Sequence, residues 1–193
     1  FLINPKIHSD SRGSFWEWYR FDELEQVLGH SLNLRQANGS ISAQGVLRGI
    51  HFADVEPGQA KYVTCVSGKV LDFVVDIRVG SPTFGKWEAV ELSSLTRNAV
   101  YLAEGLGHAF LALTSDATVN YLVSGTYDPS KEHGLNPRDP ELGLTFPEGF
   151  ELLLSDKDLQ APSLEEARMQ GILPTWESAL NRYESLRVNQ GER

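Results

Sequence analysis

An alternation of apolar and polar residues between positions 61 and 77 restricts the possible folds of this chain more than any other feature. Its apolar residues share one face of an extended strand and two acidic residues share the other: Leu71, Phe73, Val75 and Ile77 against Asp72 and Asp76. A period of two is typical of a half-buried β-strand, whereas a helix repeats every 3.6 residues. We therefore predict strands here, divided by a hairpin turn at Ser67-Gly68-Lys69.

Further short strands are predicted at residues 41–52, 87–92, 99–102, 108–113 and 118–124, with a turn cluster at 80–85. Many short strands divided by turns are typical of a sandwich or barrel. Short helices are predicted at residues 21–28, 163–171 and 176–186, the second with capping-box spacing between Ser163 and Glu166. We predict an all-β, cupin-like jelly-roll barrel with a few short peripheral helices. One domain would fill residues 1–193, with a core over about 1–147 and a C-terminal loop and helices over about 148–193.

The composition excludes several functional classes. The chain has 17 basic and 26 acidic residues and a net charge of −9, which argues against a nucleic-acid partner. No apolar run approaches the ~20 residues that span a bilayer, so we expect no membrane partner. The single cysteine, Cys65, excludes an intrachain disulfide and is expected to be a buried structural thiol. No signal peptide is visible, which makes a cytoplasmic location the expectation.

Two of the five histidines are candidates for chemistry. His51 and His108 lie in apolar strands, whereas the other three lie in polar segments that we expect to be exposed: His8, His30 and His133. Cationic and aromatic polar residues accompany His51, namely Arg48, Lys61 and Tyr121. Burying such groups in a small barrel is costly unless they bind something. This set therefore predicts a binding or catalytic site inside the barrel.

Other kinds of site find little support. Metal-binding barrels of this type use a His-x-His pair, which is absent, and two isolated histidines are too few for a closed metal site. Cys65 has no local activating pattern, and there is no Gly-x-Ser-x-Gly elbow. The Walker and Rossmann glycine patterns are also absent. We therefore predict neither a metal nor a cofactor.

The remaining chemistry is proton transfer next to a carbonyl group. A neutral histidine such as His51 is a suitable base near neutral pH. Lys61 can hydrogen-bond a developing oxyanion, and Tyr121 can return a proton on the opposite face. An aspartate could orient the histidine. Base, oxyanion donor and acid together describe enolisation of a carbonyl compound.

A series of short motifs then extends through nearly the whole chain. They stand at residues 10–17 (DSRGSFWE), 35–38 (RQAN), 45–52 (GVLRGIHF), 58–63 (GQAKYV), 76–85 (DIRVGSPTFG), 105–110 (GLGHAF), 121–127 (YLVSGTY) and 154–158 (LSDKD). In this order and spacing the set resembles the dTDP-4-dehydrorhamnose 3,5-epimerase family. Single motifs such as Asp-x-Arg-Gly are weak, but the ordered set is highly specific.

The resemblance implies conversion of dTDP-4-dehydro-6-deoxy-D-glucose to dTDP-4-dehydro-L-rhamnose, without a cofactor. The C4 ketone acidifies the protons at C3 and C5. His51 would match the base of the family, with Asp158 as its dyad partner. Lys61 would match the residue that stabilises the enolate oxygen, and Tyr121 the acid. Locally, Asp158 lies in a polar segment that would otherwise be taken for a solvated loop.

The resemblance also implies a set of nucleotide-binding residues. Those that would contact the dTDP are Arg12, Glu17 with Phe15 nearby, Gln36, Asn38, Arg48, His108, Glu132 and Lys157. Tyr127 would stack on the thymine. In this family the N-terminal strands cross to the partner subunit, so Arg12 and Glu17 would serve the neighbouring site. A homodimer with N-terminal strand exchange is the corresponding expectation.

Two other functions stay open at this point. A relative could invert only C3 or only C5 of a dTDP-4-keto-6-deoxy sugar; the presence of Tyr121 favours the double reaction, since some single-site relatives lack it. A barrel of this kind could also bind a nucleotide-sugar without turnover. The complete set of His51, Lys61, Tyr121 and Asp158 argues against mere binding.

Overall fold

Two five-stranded antiparallel sheets and a separate hairpin make up the framework of the computed structural model, which describes residues 1–149 and 151–188. The strands are β1 (Leu2–Ile3), β2 (Ile7–Asp10), β3 (Gly13–Trp16), β4 (Gln36–Ser42), β5 (Leu47–Ala53), β6 (Lys61–Ser67), β7 (Lys69–Asp76), β8 (Trp87–Ser93), β9 (Ala99–Leu102), β10 (Leu106–Ala112), β11 (Ala117–Val123) and β12 (Glu132–Gly134). The helices are α1 (Phe21–Leu28), α2 (Asp156–Leu159), α3 (Leu164–Gln170) and α4 (Trp176–Val188). The all-β jelly-roll expectation with short helices is confirmed.

The two sheets differ in strand order and share one core. Sheet A has the order β1-β9-β6-β11-β4, sheet B has the order β12-β5-β10-β7-β8, and β2 and β3 pair with each other. A buried cluster between the sheets contains Val63, Val70, Phe110 and Val119. Helix α1 covers the outer face of sheet A, and the segment that includes α3 covers the outer face of sheet B. Both sheets are therefore buried on both faces over much of their area.

Strand β7 confirms the predicted strand at 71–77, but the prediction that it is half-buried is wrong, because both of its faces are covered. Phe73 and Val75 pack into the outer cluster of sheet B, while Asp72 points the other way and is 0% exposed. Asp76 is also buried and forms an ion pair with Arg78. A period-two pattern identifies the two faces of a strand, but it does not say whether the polar face meets water or the interior of a barrel.

The predicted hairpin at Ser67-Gly68-Lys69 is also wrong. Strand β6 belongs to sheet A and β7 to sheet B, so this turn carries the chain from one sheet to the other. The predicted strand at 41–52 is likewise divided: β4 ends at Ser42 in sheet A and β5 begins at Leu47 in sheet B. Gly45 lies in the connection with φ +86°, a backbone conformation that favours glycine.

The helix predictions are confirmed. Helix α3 begins after Ser163, which forms a reciprocal capping box with Glu166, and it ends at Gly171 in the left-handed region. Cys65 is buried, as expected. His30, two residues after α1, is 5% exposed, so the expectation that it is exposed is wrong. Over residues 1–149 and 151–188, none of the helices has the length and apolarity that crossing a membrane requires.

Candidate active site

A cavity of about 490 Å³ opens between the two sheets. Residues from both sheets line it, together with residues of two loops and of helix α2: Gln36, Asn38, Gly39, His51, Gln59, Lys61, Tyr121, Tyr127, Glu132, His133 and Lys157. Three of the four residues predicted to act in catalysis are in this group, and Asp158 lies directly behind His51. Five of the predicted nucleotide contacts are there as well, namely Gln36, Asn38, Tyr127, Glu132 and Lys157. Eight of the fourteen predicted catalytic and binding residues therefore line one cavity.

His51 and Asp158 form a close pair at the wall of this cavity. His51 projects from β5, and its Nε2 lies 2.7 Å from Asp158 Oδ1. The imidazole is 40% exposed toward the cavity, whereas the Asp158 side chain is only 6% exposed. With Nε2–H donating to the carboxylate, Nδ1 is left with the lone pair that a base requires.

Helix α2 sets the position of Asp158. Ser155 caps the helix by accepting a hydrogen bond from the Asp158 backbone N–H, and its hydroxyl donates to Asp158 Oδ2 at 2.9 Å. Burial opposes ionisation of this carboxyl group, but the hydrogen bonds from His51 and Ser155 outweigh it and hold the pKa of Asp158 below its usual value. The local interpretation of this segment as a solvated loop is wrong for Asp158: the segment is helical, and Asp158 is buried against His51 of β5, whereas Ser155, Asp156 and Lys157 are exposed.

Lys61 is a buried cation at the start of β6. Only 8% of the residue is exposed. Burial lowers the pKa of Lys61, and the negative charges of Glu132 and Asp72 oppose that shift. A buried ammonium group beside a cavity is costly unless it meets anionic partners or an anionic ligand. Lys61 can therefore stabilise negative charge that develops on a ligand oxygen.

Tyr121 reaches the cavity from β11, on the sheet opposite to His51. Its direct cross-strand partners are Asn38 on β4 and Val63 on β6. Burial raises the pKa of Tyr121, and Glu132 adds to that effect, while Arg48 and a hydrogen bond with Asn38 oppose it. The phenol is therefore protonated throughout the neutral range and available as an acid.

His108 and Arg48, two further predicted contacts, lie next to the cavity wall. His108 is buried on β10, is the direct partner of His51 on β5, and its Nε2 lies 2.8 Å from Asp72 Oδ2. Arg48 donates from Nε to Ser42 Oγ at 3.1 Å. Asp72 was not predicted to belong to this site.

The N-terminal residues of the predicted set lie outside the cavity. Arg12 and Phe15 belong to the β2–β3 hairpin, and Glu17 follows it. The Arg12 side chain is 88% exposed and pairs with Asp10, while Glu17 pairs with Arg20. Phe15 is 66% exposed.

Gly39, Gln59 and His133 line the cavity although the sequence interpretation did not select them. Gln59 is two residues before Lys61, so the strand period could have placed both on one face. His133 pairs with Asp54 at 2.7 Å between Nε2 and Oδ1. It lies on the three-residue strand β12, which had no recognisable pattern. Within the described residues, no group of three or more His, Cys, Asp or Glu side chains is arranged to hold a metal ion.

Known proteins resemble this chain over most of its length. The family model described as dTDP-4-dehydrorhamnose 3,5-epimerase matches residues 1–166. A dTDP-4-dehydrorhamnose 3,5-epimerase of Mycolicibacterium smegmatis is 56% identical over 187 residues, which cover 97% of this chain and 92% of that protein. A dTDP-4-dehydrorhamnose 3-epimerase of Streptomyces niveus is 55% identical over 174 residues, 90% of this chain and 84% of that protein.

A solved structure is similar over nearly the whole chain. It is that of a double mutant of ChmJ, a 3′-monoepimerase from Streptomyces bikiniensis, in complex with dTDP. The TM-score is 0.96 at 46% identity, covering 98% of this chain and 95% of that one. The residues changed in that mutant are a histidine and a tyrosine with the same sequence separation as His51 and Tyr121. By its sequence, its fold and the residues around its cavity, this chain belongs to the dTDP-4-dehydrorhamnose 3,5-epimerase family.

Proposed function

We propose that this enzyme inverts C3 and C5 of dTDP-4-dehydro-6-deoxy-D-glucose and so produces dTDP-4-dehydro-L-rhamnose. One observation carries the proposal: His51 and Tyr121 line one cavity from opposite sheets, with the buried cation of Lys61 in the same cavity. Inversion requires a proton to leave one face of a carbon atom and another to arrive at the opposite face. A base and an acid on facing sheets meet that requirement.

The first step removes a proton next to the C4 ketone. Nδ1 of His51 takes the proton, and the electron pair of the C–H bond forms the C=C bond of an enolate while the carbonyl oxygen becomes negative. Asp158 stabilises the resulting imidazolium through its 2.7 Å contact with Nε2. Lys61 donates a hydrogen bond to the enolate oxygen, which is the charge that this step creates.

The second step returns a proton to the opposite face. The Tyr121 hydroxyl transfers its proton to the carbon atom, the C=C pair forms the new C–H bond, and the ketone is restored. The imidazolium and the tyrosinate then return to their starting protonation states through water. The same sequence of steps at the other carbon completes the double inversion.

Inversion at C3 alone is the second candidate. It is favoured by the relatives named as 3-epimerases and, more specifically, by the ChmJ mutant. A histidine and a tyrosine with the separation of His51 and Tyr121 occur in that 3′-monoepimerase. The presence of Tyr121 therefore favours the double reaction only in comparison with those single-site relatives that lack the tyrosine.

Solvent deuterium distinguishes the two candidates. The enzyme is incubated with dTDP-4-dehydro-6-deoxy-D-glucose in deuterated water, and the product is examined by NMR and mass spectrometry. We expect deuterium at both C3 and C5. Stable incorporation at C3 alone would establish the second candidate, and no incorporation at either carbon would exclude both.

We further propose that the active unit is a homodimer in which the N-terminal hairpin completes the partner's site. The hairpin pairs only with itself among the described strands, and it presents Arg12 and Phe15 to solvent at 88% and 66% exposure. A guanidinium group suits a diphosphate, and an exposed aromatic ring suits a base or an interface. The remaining nucleotide contacts would come from the same subunit, through Tyr127 and Lys157 at the cavity.

Heterodimers with one defect in each subunit test this arrangement. Subunits carrying Arg12→Ala and His51→Ala are co-expressed with different affinity tags and purified through both. If Arg12 serves the partner's site, one site has both defects and the other has none, and we expect about half of the wild-type activity. The matched control combines His51→Ala with Asp158→Asn, which act in one subunit and leave no intact site. Failure to recover any doubly tagged protein contradicts the dimer.

A further inference from the structure

The inward face of β4 is polar, although β4 belongs to a sheet whose other inner residues are mainly apolar. Strand β4 lies at the edge of sheet A, next to β11. Its partly or fully buried positions are occupied by Gln36, Asn38, Ser40 and Ser42, whereas the alternate positions are exposed and include Ile41 at 74%. Packing alone would favour the reverse pattern. Packing therefore does not account for the polar side chains on the inner face of β4.

The first two of these side chains form a continuous series of hydrogen bonds. The backbone N–H of Tyr127 donates to Gln36 Oε1 at 2.9 Å. Gln36 Nε2 in turn donates to Asn38 Oδ1 at 2.7 Å. Asn38 is the direct cross-strand partner of Tyr121 and lines the same cavity, so its amide lies beside the phenol, where it lowers the pKa of Tyr121. The series therefore connects the loop at the rim of the cavity with the phenol inside it.

The direction of these bonds determines which group Asn38 offers to Tyr121. Its Oδ1 accepts from the amide of Gln36, so the group that Asn38 has left for the phenolic oxygen is the Nδ2 donor. A donor at that oxygen stabilises the tyrosinate that remains after proton transfer. Gln36 thus holds the Asn38 amide in the orientation that assists an acid.

We propose that the side chains of Gln36 and Asn38 act together as a hydrogen-bonded pair, the positioning relay. The relay holds the Tyr121 phenol in the orientation from which it delivers its proton, and it makes that orientation depend on the position of the Tyr127 main chain. This inference rests on the proposed function, because the relay affects epimerisation only if Tyr121 is the acid. Tyr127 lies at the cavity rim and is 58% exposed, so a ligand that covers it can act on Gln36 through the backbone. The two side chains act through Tyr121 and are positioning residues for the reaction.

The relay predicts a change in the fate of the enolate. The intermediate can regain a proton from His51 on its original face or receive one from Tyr121 on the other face. In deuterated water the first path labels recovered substrate, after the imidazolium has exchanged with solvent, and the second labels the inverted product. Weakening the acid without touching the base should therefore raise the ratio of labelled substrate to labelled product.

The variants Asn38→Leu and Gln36→Glu test the relay by that ratio. Asn38→Leu removes the donor to the phenol, and Gln36→Glu keeps the acceptor for Tyr127 but removes the donor that orients Asn38. We expect the ratio to rise by about tenfold in Asn38→Leu, the usual effect of one lost hydrogen bond, and by less in Gln36→Glu. Because the ratio compares two fates of one bound intermediate, a change in KM does not affect it.

Ser40→Ala is the matched control. Ser40 is the next inward residue of β4, and its buried hydroxyl has no hydrogen-bond partner among the described residues. We expect the wild-type ratio in this variant. If Asn38→Leu lowers both labelled species in parallel, or leaves the ratio unchanged, the relay is overturned.

A second measurement needs no substrate. The six tyrosines are labelled with ¹³C at Cζ, and the Tyr121 resonance is assigned by its loss in Tyr121→Phe. The titration midpoint of Tyr121 should rise in Asn38→Leu and stay unchanged in Ser40→Ala. An unchanged midpoint in Asn38→Leu overturns the relay. Wild-type enzyme that exchanges no deuterium would instead overturn the proposed function, so the two failures are distinct.

Discussion

Replacing His51 with alanine is expected to lower kcat by about 10²–10⁴-fold, the usual contribution of a general base. His51 is the group that combines access to the cavity with a buried carboxylate partner. Its removal leaves Lys61 and Tyr121 in place, so the ketone is still bound and polarised but its proton is not removed. Deuterium exchange into the substrate should be lost together with turnover. Both are measured in one NMR time course.

Two controls separate lost chemistry from lost binding. The dissociation constant for dTDP, measured by calorimetry, should stay close to the wild-type value because the proposed nucleotide contacts are elsewhere in the cavity. Added imidazole should restore part of the exchange in His51→Ala, since the substitution leaves space beside Asp158 for a free base. Turnover near the wild-type rate in the uncomplemented variant would rule out the assigned base.

Lys61 is expected to give the second large effect. In Lys61→Met the enolate oxygen loses its cation, and loss of a single oxyanion donor costs about 10²–10³-fold in kcat. The neighbouring charges of Glu132 and Asp72 also lose their counter-ion in the interior. We therefore expect a lower midpoint of thermal unfolding as well. Steady-state kinetics and thermal melts on the same sample check both effects.

The pH profile provides an independent test of Lys61. Burial lowers its pKa from 10.5, so the ammonium form is lost as the pH rises through a value below 10.5. Burial raises the pKa of Tyr121 above 10.0, which moves the ionisation of the phenol toward higher pH, whereas burial moves that of Lys61 toward lower pH. The alkaline fall of kcat/KM should thus follow Lys61. In Lys61→Arg, which stays protonated, that fall should move to higher pH; an unchanged profile would contradict the assignment.

Local pattern predicted the strands and helices well, but not the sheet to which each strand belongs. The turn at Gly68 has the residues of a hairpin, yet β6 and β7 lie in different sheets. Hairpins and crossings between sheets use the same turn chemistry, so only long-range pairing separates them. The burial of Asp72 was not predicted for a related reason. The polar face of a strand can lie in the interior of a barrel or in solvent, and the alternation of residues does not distinguish the two.

The site was predicted to the extent that its residues lie in strands or in ordered motifs. His51, Lys61 and Tyr121 were found by their apolar surroundings and strand positions. Asp158 was found through the family motifs alone, since its burial depends on helix α2 turning toward β5. His133 remained hidden, because the three residues of β12 are too few to show a period.

The placement of the proposed base and the proposed acid on different sheets has a consequence for altering the range of substrates. The distance between His51 and Tyr121 depends on how far apart the sheets are held by residues such as Phe110 and Val119. Packed sheets lie about 10 Å apart, and their separation follows the volume of the side chains between them. Laboratory selection for bulkier sugars should accordingly recover substitutions in this interior layer, at positions that no substrate atom touches.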